Sequence, residues 1–263
     1  MSRLFPPAGP VLPPFRTILI QGQYHASAPI HLCLSTVTPE TSAIILSPSR
    51  EALVRSLQGY NDEWINNHSG HGSISSMSAN IRMFYPPTSA HLVALLSSFR
   101  VHDLHEDVPL DFRATLDTTP TLLVLHEPSL YFSTRNIDSP AYPLEFSRSA
   151  HNVSFALFDS RLDRLKLPIL RLPPRSLFSD EEDTSQPPEP KMVTFFAQKY
   201  FEWVDAVLVH TPRPLEESGE TRENCRLRLH KCNSDDDNDS TWKWSEITQQ
   251  PQGSTKKFKT FVW

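Results

Sequence analysis

Glycine is scarce in this chain: seven in 263 residues, against twenty-four prolines. The ratio argues against a fold built on glycine-rich phosphate cradles and favours stiff loops and irregular linkers. Cysteine is scarcer still. Cys33, Cys225 and Cys232 are too few for a disulfide scaffold and fit a reducing compartment. No apolar run approaches the ~18 residues of a membrane span. The segment from Met1 to Pro7 lacks the apolar core of a signal peptide, so the Asn-x-Ser triplets at Asn67, Asn152 and Asn238 read as chance matches. The formal charge of −5 provides no global basic field, so contact with nucleic acid would need a local patch.

What is present reads as alternating strands and helices. Residues 1–15 are proline-rich and expected to be flexible. Ile18–Gln21 reads as a strand, Ile30–Val37 as a helix and Ala43–Leu46 as a buried strand. Ser49 is placed to cap a helix over Arg50–Trp64, and Asn66–Asn80 reads as a loop. Ile81–Tyr85 is a strand stopped by Pro86-Pro87, and Thr88 or Ser89 caps the helix that carries Leu92, Val93, Leu95, Leu96 and Phe99. Residues 101–119 read as a polar insertion. Thr121–Leu125 has the continuous apolar character of a central parallel strand. The spacing predicts a helix over 142–165, a strand over Leu167–Leu172, an acidic proline-rich loop over 174–191, a helix over Met192–Trp203 and a strand over Ala206–Val209. Cys225–Cys232 and Thr241–Ile247 alternate like antiparallel strands about the acidic turn Asp235–Asp239, and Lys257–Trp263 alternates again. The expectation is one α/β domain over 16–263. Its sheet is mostly parallel and flanked by helices, with an antiparallel C-terminal edge. Such sheets bind ligands at the carboxyl ends of their strands.

The most informative segment lies at such an end. The apolar strand Thr17–Gln21 runs into Gly22-Gln23-Tyr24-His25-Ala26-Ser27-Ala28-Pro29. On the phosphate-loop template G-x-x-x-x-G-K-[ST], Gly22 takes the first glycine. Ser27 stands at the second glycine, Ala28 at the lysine and Pro29 at the metal-binding hydroxyl. Bare backbone, phosphate cation and metal ligand are all lost. The expectation is a strand–helix turn that keeps the shape of a nucleotide loop without hydrolysis, with no catalytic residue and no cofactor. His126 and Glu127, at the end of the central strand, fit either a strand-end polar pair or a general base lacking a substrate. Cys225, His230 and Cys232 fit no common zinc spacing, and strand alternation turns Cys225 away from the other two, so no metal site is expected. Arg226, Arg228 and Lys231 form a basic run on the late strand, where a solvated surface and a nucleic-acid patch both stay open.

Gly22–Pro29 after the first strand, with Leu122-Leu123-Val124-Leu125-His126 as second motif strand, resembles the RecA-type recombinase core. There an aspartate stands where this chain has His126. The segment Ile81–Thr88, centred on Tyr85-Pro86-Pro87, is similar to the small recombinase paralogue that partners a SWIM zinc-finger protein in the Shu complex. The resemblance covers roughly residues 16–248. It implies a nuclear, non-catalytic accessory factor that promotes assembly of a RecA-type recombinase on single-stranded DNA in homologous recombination and DNA repair. By the same resemblance Arg171 and Arg175, at the base of the 174–191 loop, are candidate DNA contacts, and Phe5 and Ala8 match the Phe-x-x-Ala segment that joins neighbouring recombinases at a sheet edge. The alternative is a RecA-like shell without its loop in the Elongator accessory ring, which serves tRNA modification.

Overall fold

The computed structural model describes residues 1–101, 115–116, 118, 120–133, 153–162, 166–167, 191–192, 200–209, 213–214, 221–232, 240–250 and 257–263. In chain order the elements are β1 (Thr17–Gly22), α1 (Ala28–Thr36), β2 (Ser42–Leu46), α2 (Arg50–Tyr60), α3 (Glu63–His68), α4 (Gly72–Ala79), β3 (Ile81–Phe84), α5 (Ser89–Ser98), β4 (Arg100–Val101), β5 (Thr115–Leu116), β6 (Pro120–His126), α6 (Leu130–Ser133), β7 (Ser154–Asp159), β8 (Lys166–Leu167), β9 (Lys191–Met192), β10 (Trp203–Val209), β11 (Arg213–Pro214), β12 (Thr221–Lys231), β13 (Ser240–Gln249) and β14 (Phe258–Val262).

The main sheet runs β14-β13-β12-β10-β1-β7-β6-β2-β3, with β11 paired to β12. From β10 to β3 every pairing is parallel, and from β10 out to β14 every pairing is antiparallel. The loop-bearing strand β1 is central, and β7 separates it from β6, the second motif strand. With that order the sheet is an α/β architecture, mostly parallel and with an antiparallel C-terminal edge, as expected from the sequence. The parallel strands are apolar on both sides because both faces are covered. Ile18, Ile20, Leu122, Val124 and Phe158 pack beneath Leu32 and Cys33 of α1. On the opposite face Ile44, Leu46 and Leu125 meet Leu92 of α5, and Leu19 meets Leu162.

Two helix starts form where the sequence places them. Ser49 accepts from the Ala52 amide at 3.2 Å and Thr88 from the His91 amide at 3.2 Å. Several other expectations are corrected. The helix over 142–165 is not formed at 154–159, which are β7. Phe155-Ala156-Leu157-Phe158 is covered on both faces, and a short run of that kind has no periodicity to distinguish helix from strand. The single helix over Arg50–Trp64 is two. Asn61 adopts a left-handed conformation (φ 52°) that ends α2, and Asp62 caps α3 by accepting from Ile65 N. The expected loop 66–80 holds the end of α3 and all of α4. Met192 lies in β9 and Trp203 in β10, so neither belongs to a 192–203 helix. The 174–190 part of the acidic loop, Arg171, Arg175 and the Asp235–Asp239 turn lie outside the described residues.

The N-terminal lead is also corrected. Leu4, Phe5 and Leu12 are buried. Leu12 N donates to Ser2 O at 2.8 Å and Gly9 N to Pro6 O at 2.8 Å, closing the segment into a loop. Arg3 N donates to Ser35 Oγ at 2.8 Å, tying that loop to the end of α1. Proline restricts the backbone here, and apolar burial fixes it.

Candidate functional site

The turn after β1 runs from Gly22 into α1, which starts at Ala28. Gly22 has φ 84°, a region that residues with a side chain enter at a cost. Pro29 lies in the first turn of α1, where a missing amide costs no helix bond. Ser27, Ala28 and Pro29 are all buried, so the three positions that depart from the template sit together in the core of the turn.

The interior of the turn holds a polar chain that sequence reading missed. Ser27 Oγ donates to Asp62 Oδ2 at 2.5 Å, and His31 Nε2 donates to the same oxygen at 2.9 Å. His25 Nδ1 lies 3.1 Å from Ser27 Oγ. Because the serine proton is committed to the carboxylate, His25 acts as the donor, and its buried Nε2 has no partner. Burial and its buried neighbour His31 push the His25 imidazole down to about 3, against the pull of Asp62. Burial alone would raise the Asp62 carboxyl, but bonds from His31, Ser27 and the Ile65 amide outweigh it and hold the group below its ordinary value. The first turn of α1 has no acidic residue of its own. Asp62, from the α2–α3 junction, sets a carboxylate against that turn, where the helix dipole favours negative charge. An incoming polyphosphate would meet this carboxylate, and the lysine near the turn, Lys259, is already bonded to Glu223 and Glu246.

An aromatic layer closes the turn. The Phe5 ring stacks on His25 (5.0 Å between centroids) and meets the edges of Trp244, Phe261 and Trp263 at 4.9, 5.7 and 4.8 Å. Phe261 also meets His25 at 4.9 Å. Strand β14 is held over the turn because Lys259 N donates to Asn61 O at 3.1 Å. Lys259 Nζ is held by Glu223 at 2.8 Å and Glu246 at 3.2 Å, with the Tyr60 ring 5.1 Å away. Phe5 is therefore not a free docking anchor, which corrects the Phe-x-x-Ala reading at its first position. Ala8 is exposed and lines an open cleft of ≈ 320 Å³ with Pro6, Trp64, His68 and Trp263.

The strand-end pair is likewise occupied. His126 is buried, with Nδ1 3.1 Å from Ser47 Oγ, and desolvation lowers its imidazole to about 4. Glu127 takes a left-handed backbone (φ 50°), and its carboxylate accepts from Tyr24 Oη at 2.5 Å and from the Ser160 amide and hydroxyl at 3.1 and 2.9 Å. Burial, then the Glu127 charge, pushes the Tyr24 phenol well above its ordinary value, so it stays protonated and caps the carboxylate. Asp159, at the end of β7, is fully buried and accepts from the Ser129 and Arg161 amides at 2.7 and 2.8 Å; desolvation raises it. Glu127, with its three donors, ties the end of β6 to Tyr24 of the turn and to Ser160 after β7.

The basic run on β12 is divided by the sheet. Arg226 and Arg228 share one face. Lys231 is on the other, with its ammonium 5.9 Å from the Trp203 ring. Cys225 is opposite Trp244 on the buried face, and Trp242 packs there too. Replacing Asp62 by Asn removes the charge that His31 and Ser27 serve. The expected result is a loss of about 2 kcal/mol in stability, read as a lower urea midpoint at unchanged slope. An unchanged midpoint would mean that the carboxylate does not hold the turn together.

No protein-family model matches the sequence, and no curated protein matches it significantly. Among solved structures the chain is similar to the RadB recombinase, with a TM-score of 0.37 and 10% identity over 87% of this chain and 86% of that one. It is also similar to a second solved structure, an ATPase domain, with a TM-score of 0.38 and 9% identity over 87% of this chain and 80% of that one. At such scores neither likeness bears on the chemistry of this chain, which rests on its own residues.

Proposed function

We propose that the chain is a non-catalytic RecA-like accessory subunit that promotes recombinase assembly on single-stranded DNA, as the Shu-type subunit does beside its SWIM zinc-finger partner in the nucleus. The observation that supports this reading is the filled turn. Ser27, His31 and Asp62 occupy the interior of the loop, and Phe5 and Phe261 close it. A turn that sets a carboxylate where the lysine of the template would stand, and whose nearby Lys259 is bonded to two glutamates, is poorly suited to a triphosphate. What remains for such a fold is work through its surfaces.

The test has two parts. The purified chain should give no saturable binding of a fluorescent ATP analogue and no turnover, and it should shorten the lag of recombinase assembly on single-stranded DNA. Affinity purification from its own cells should recover a SWIM zinc-finger protein and recombinase paralogues. Turnover that Glu127→Gln abolishes would refute the non-catalytic part. Recovery of Elongator subunits with tRNA would replace the recombination role by the tRNA-modification one.

A further inference from the structure

The antiparallel edge sorts its charges by face. On one face of β12 and β13 lie Glu223 and Glu246, with Lys259 of β14 bonded to both. On the other, alternation and register place Arg222, Asn224, Arg226 and Arg228 of β12 beside Ile247, Ser245, Lys243 and Thr241 of β13. That face has no acidic residue at any register position from Arg222 to Arg228. Arg226 is directly opposite Lys243, and the backbone register sets Arg213 of β11 opposite Arg222. Like charges facing each other across strands are destabilising. The fold nevertheless sets the Arg226–Lys243 pair on the surface of a molecule whose net charge is −5. Arg222, Arg228 and Lys243 are exposed, and the buried Nε of Arg226 has no acceptor.

We infer that this outer face of β12 and β13 binds the phosphodiester backbone of a nucleic acid. The arginines of this face stand at 222, 226 and 228 of β12, about 13 and 7 Å apart, close to two steps and one step between phosphates along an extended strand. A bound backbone would relieve the repulsion between the cross-strand cations. Recognition of this kind is independent of base sequence and weakens with salt. The site is remote in sequence from the 174–191 loop. It depends on the accessory reading only in the choice of single-stranded DNA as first probe.

The experiment is fluorescence anisotropy of the full chain with a labelled oligothymidine and with its RNA counterpart, over a range of salt. The test variant is Arg228→Gln with Lys243→Gln. The control is Arg50→Gln with Arg55→Gln, which removes the same charge from the exposed side of α2. The expected result is about tenfold weaker binding for the test variant, and a slope of log K on log salt lower by about 1.4 (two single-strand contacts at about 0.7 each). The control should bind as the wild type does. Arg228→Lys with Lys243→Arg, which keeps both charges, should retain the affinity.

Equal losses in test and control would overturn the assignment, because bulk charge would then suffice. Wild-type affinity in the test variant would overturn the face. If the wild-type chain binds neither oligonucleotide, the inference fails while an accessory role through protein contacts stands. Competition by polyglutamate as effective as by oligonucleotide would overturn the choice of a nucleic-acid backbone. Binding through this face without any effect on recombinase assembly would uphold the inference and refute the accessory reading.

Discussion

Replacing Phe5 by Ala should cost about 4 kcal/mol, in the range of a buried phenylalanine truncated inside a packed cluster. Its ring touches His25, Trp244, Phe261 and Trp263, so the cavity would open among four aromatic neighbours that the backbone holds in place. The site has little slack. A methyl group added at Gly9 would stand 2.6 Å from the Phe5 Cβ and from the Trp263 ring. The loss should appear as a lower urea midpoint, with the slope kept if unfolding stays two-state. The same measurement distinguishes two roles for the residue. An anchor reserved for a neighbouring recombinase would sit in solvent until used, and its truncation would leave the stability of the isolated chain within about 0.5 kcal/mol. A result that small would return Phe5 to the docking role and contradict the packed arrangement.

Where a sequence signal is local, the sequence predicts the structure well. Ser49 and Thr88 cap their helices because a side-chain oxygen needs to reach only three residues along the chain. Gly22 is the position of the phosphate-loop template that the chain keeps, and it takes the positive φ that glycine enters readily. The parallel order follows from strands alternating with helices. Strand β7 was not legible. Its apolar run satisfies helical spacing and buried-strand composition alike, and only its insertion between β1 and β6 decides the matter. The break at Asn61-Asp62 was legible in principle, as a left-handed C-cap residue followed by an N-cap residue. The apolar pattern of Leu53, Leu57 and Trp64 obscured it.

The candidate site was half legible for a similar reason. The losses at Ser27, Ala28 and Pro29 can be read residue by residue against a template. What replaced the lost functions cannot. Asp62 is thirty-five residues from Ser27, on a different element, and joins it only because β14 and the α2–α3 junction fold over the turn. Tyr24 and Glu127 are likewise 103 residues apart. A sequence read along its length shows which chemical groups are missing, while the groups that fill the space come from tertiary contacts. The lead segment taught the same lesson in reverse. Its prolines suggested a flexible linker, but the four apolar side chains Leu4, Phe5, Leu12 and Phe15 pack against the main core.

Acid should unfold this protein earlier than its carboxylates alone would require. His25 is held neutral to about pH 3 and His126 to about pH 4, each by burial, whereas an imidazole in the unfolded chain takes up its proton near 6.5. Above about pH 7 both states carry neutral imidazoles, and neither histidine affects stability with pH. As the pH falls through 6.5 the unfolded chain binds a proton at each site and the folded chain binds none, so stability must fall. Each group contributes a slope approaching 1.4 kcal/mol per pH unit, about 2.7 for the pair, until His126 itself titrates near 4. Asp62 adds to the loss at lower pH. Its folded carboxyl lies below the ordinary value, so its contribution is present above the unfolded value and disappears as the pH falls through the folded one. Asp159, raised by desolvation, acts in the opposite sense and offsets part of that. The two imidazoles remove about 5 kcal/mol between pH 6.5 and 4.5, enough to bring a chain at the low end of the typical range of about 5–15 kcal/mol close to unfolding. Urea midpoints taken between pH 7.5 and 4.5 would show a plateau and then a steep fall. His126→Asn should roughly halve the slope between 6.5 and 4.5, because it removes one of the two titrating groups while leaving a side chain that can still meet Ser47. A midpoint that stays level across that interval would mean that both imidazoles reach water in the folded chain, and the closed turn described here would be wrong.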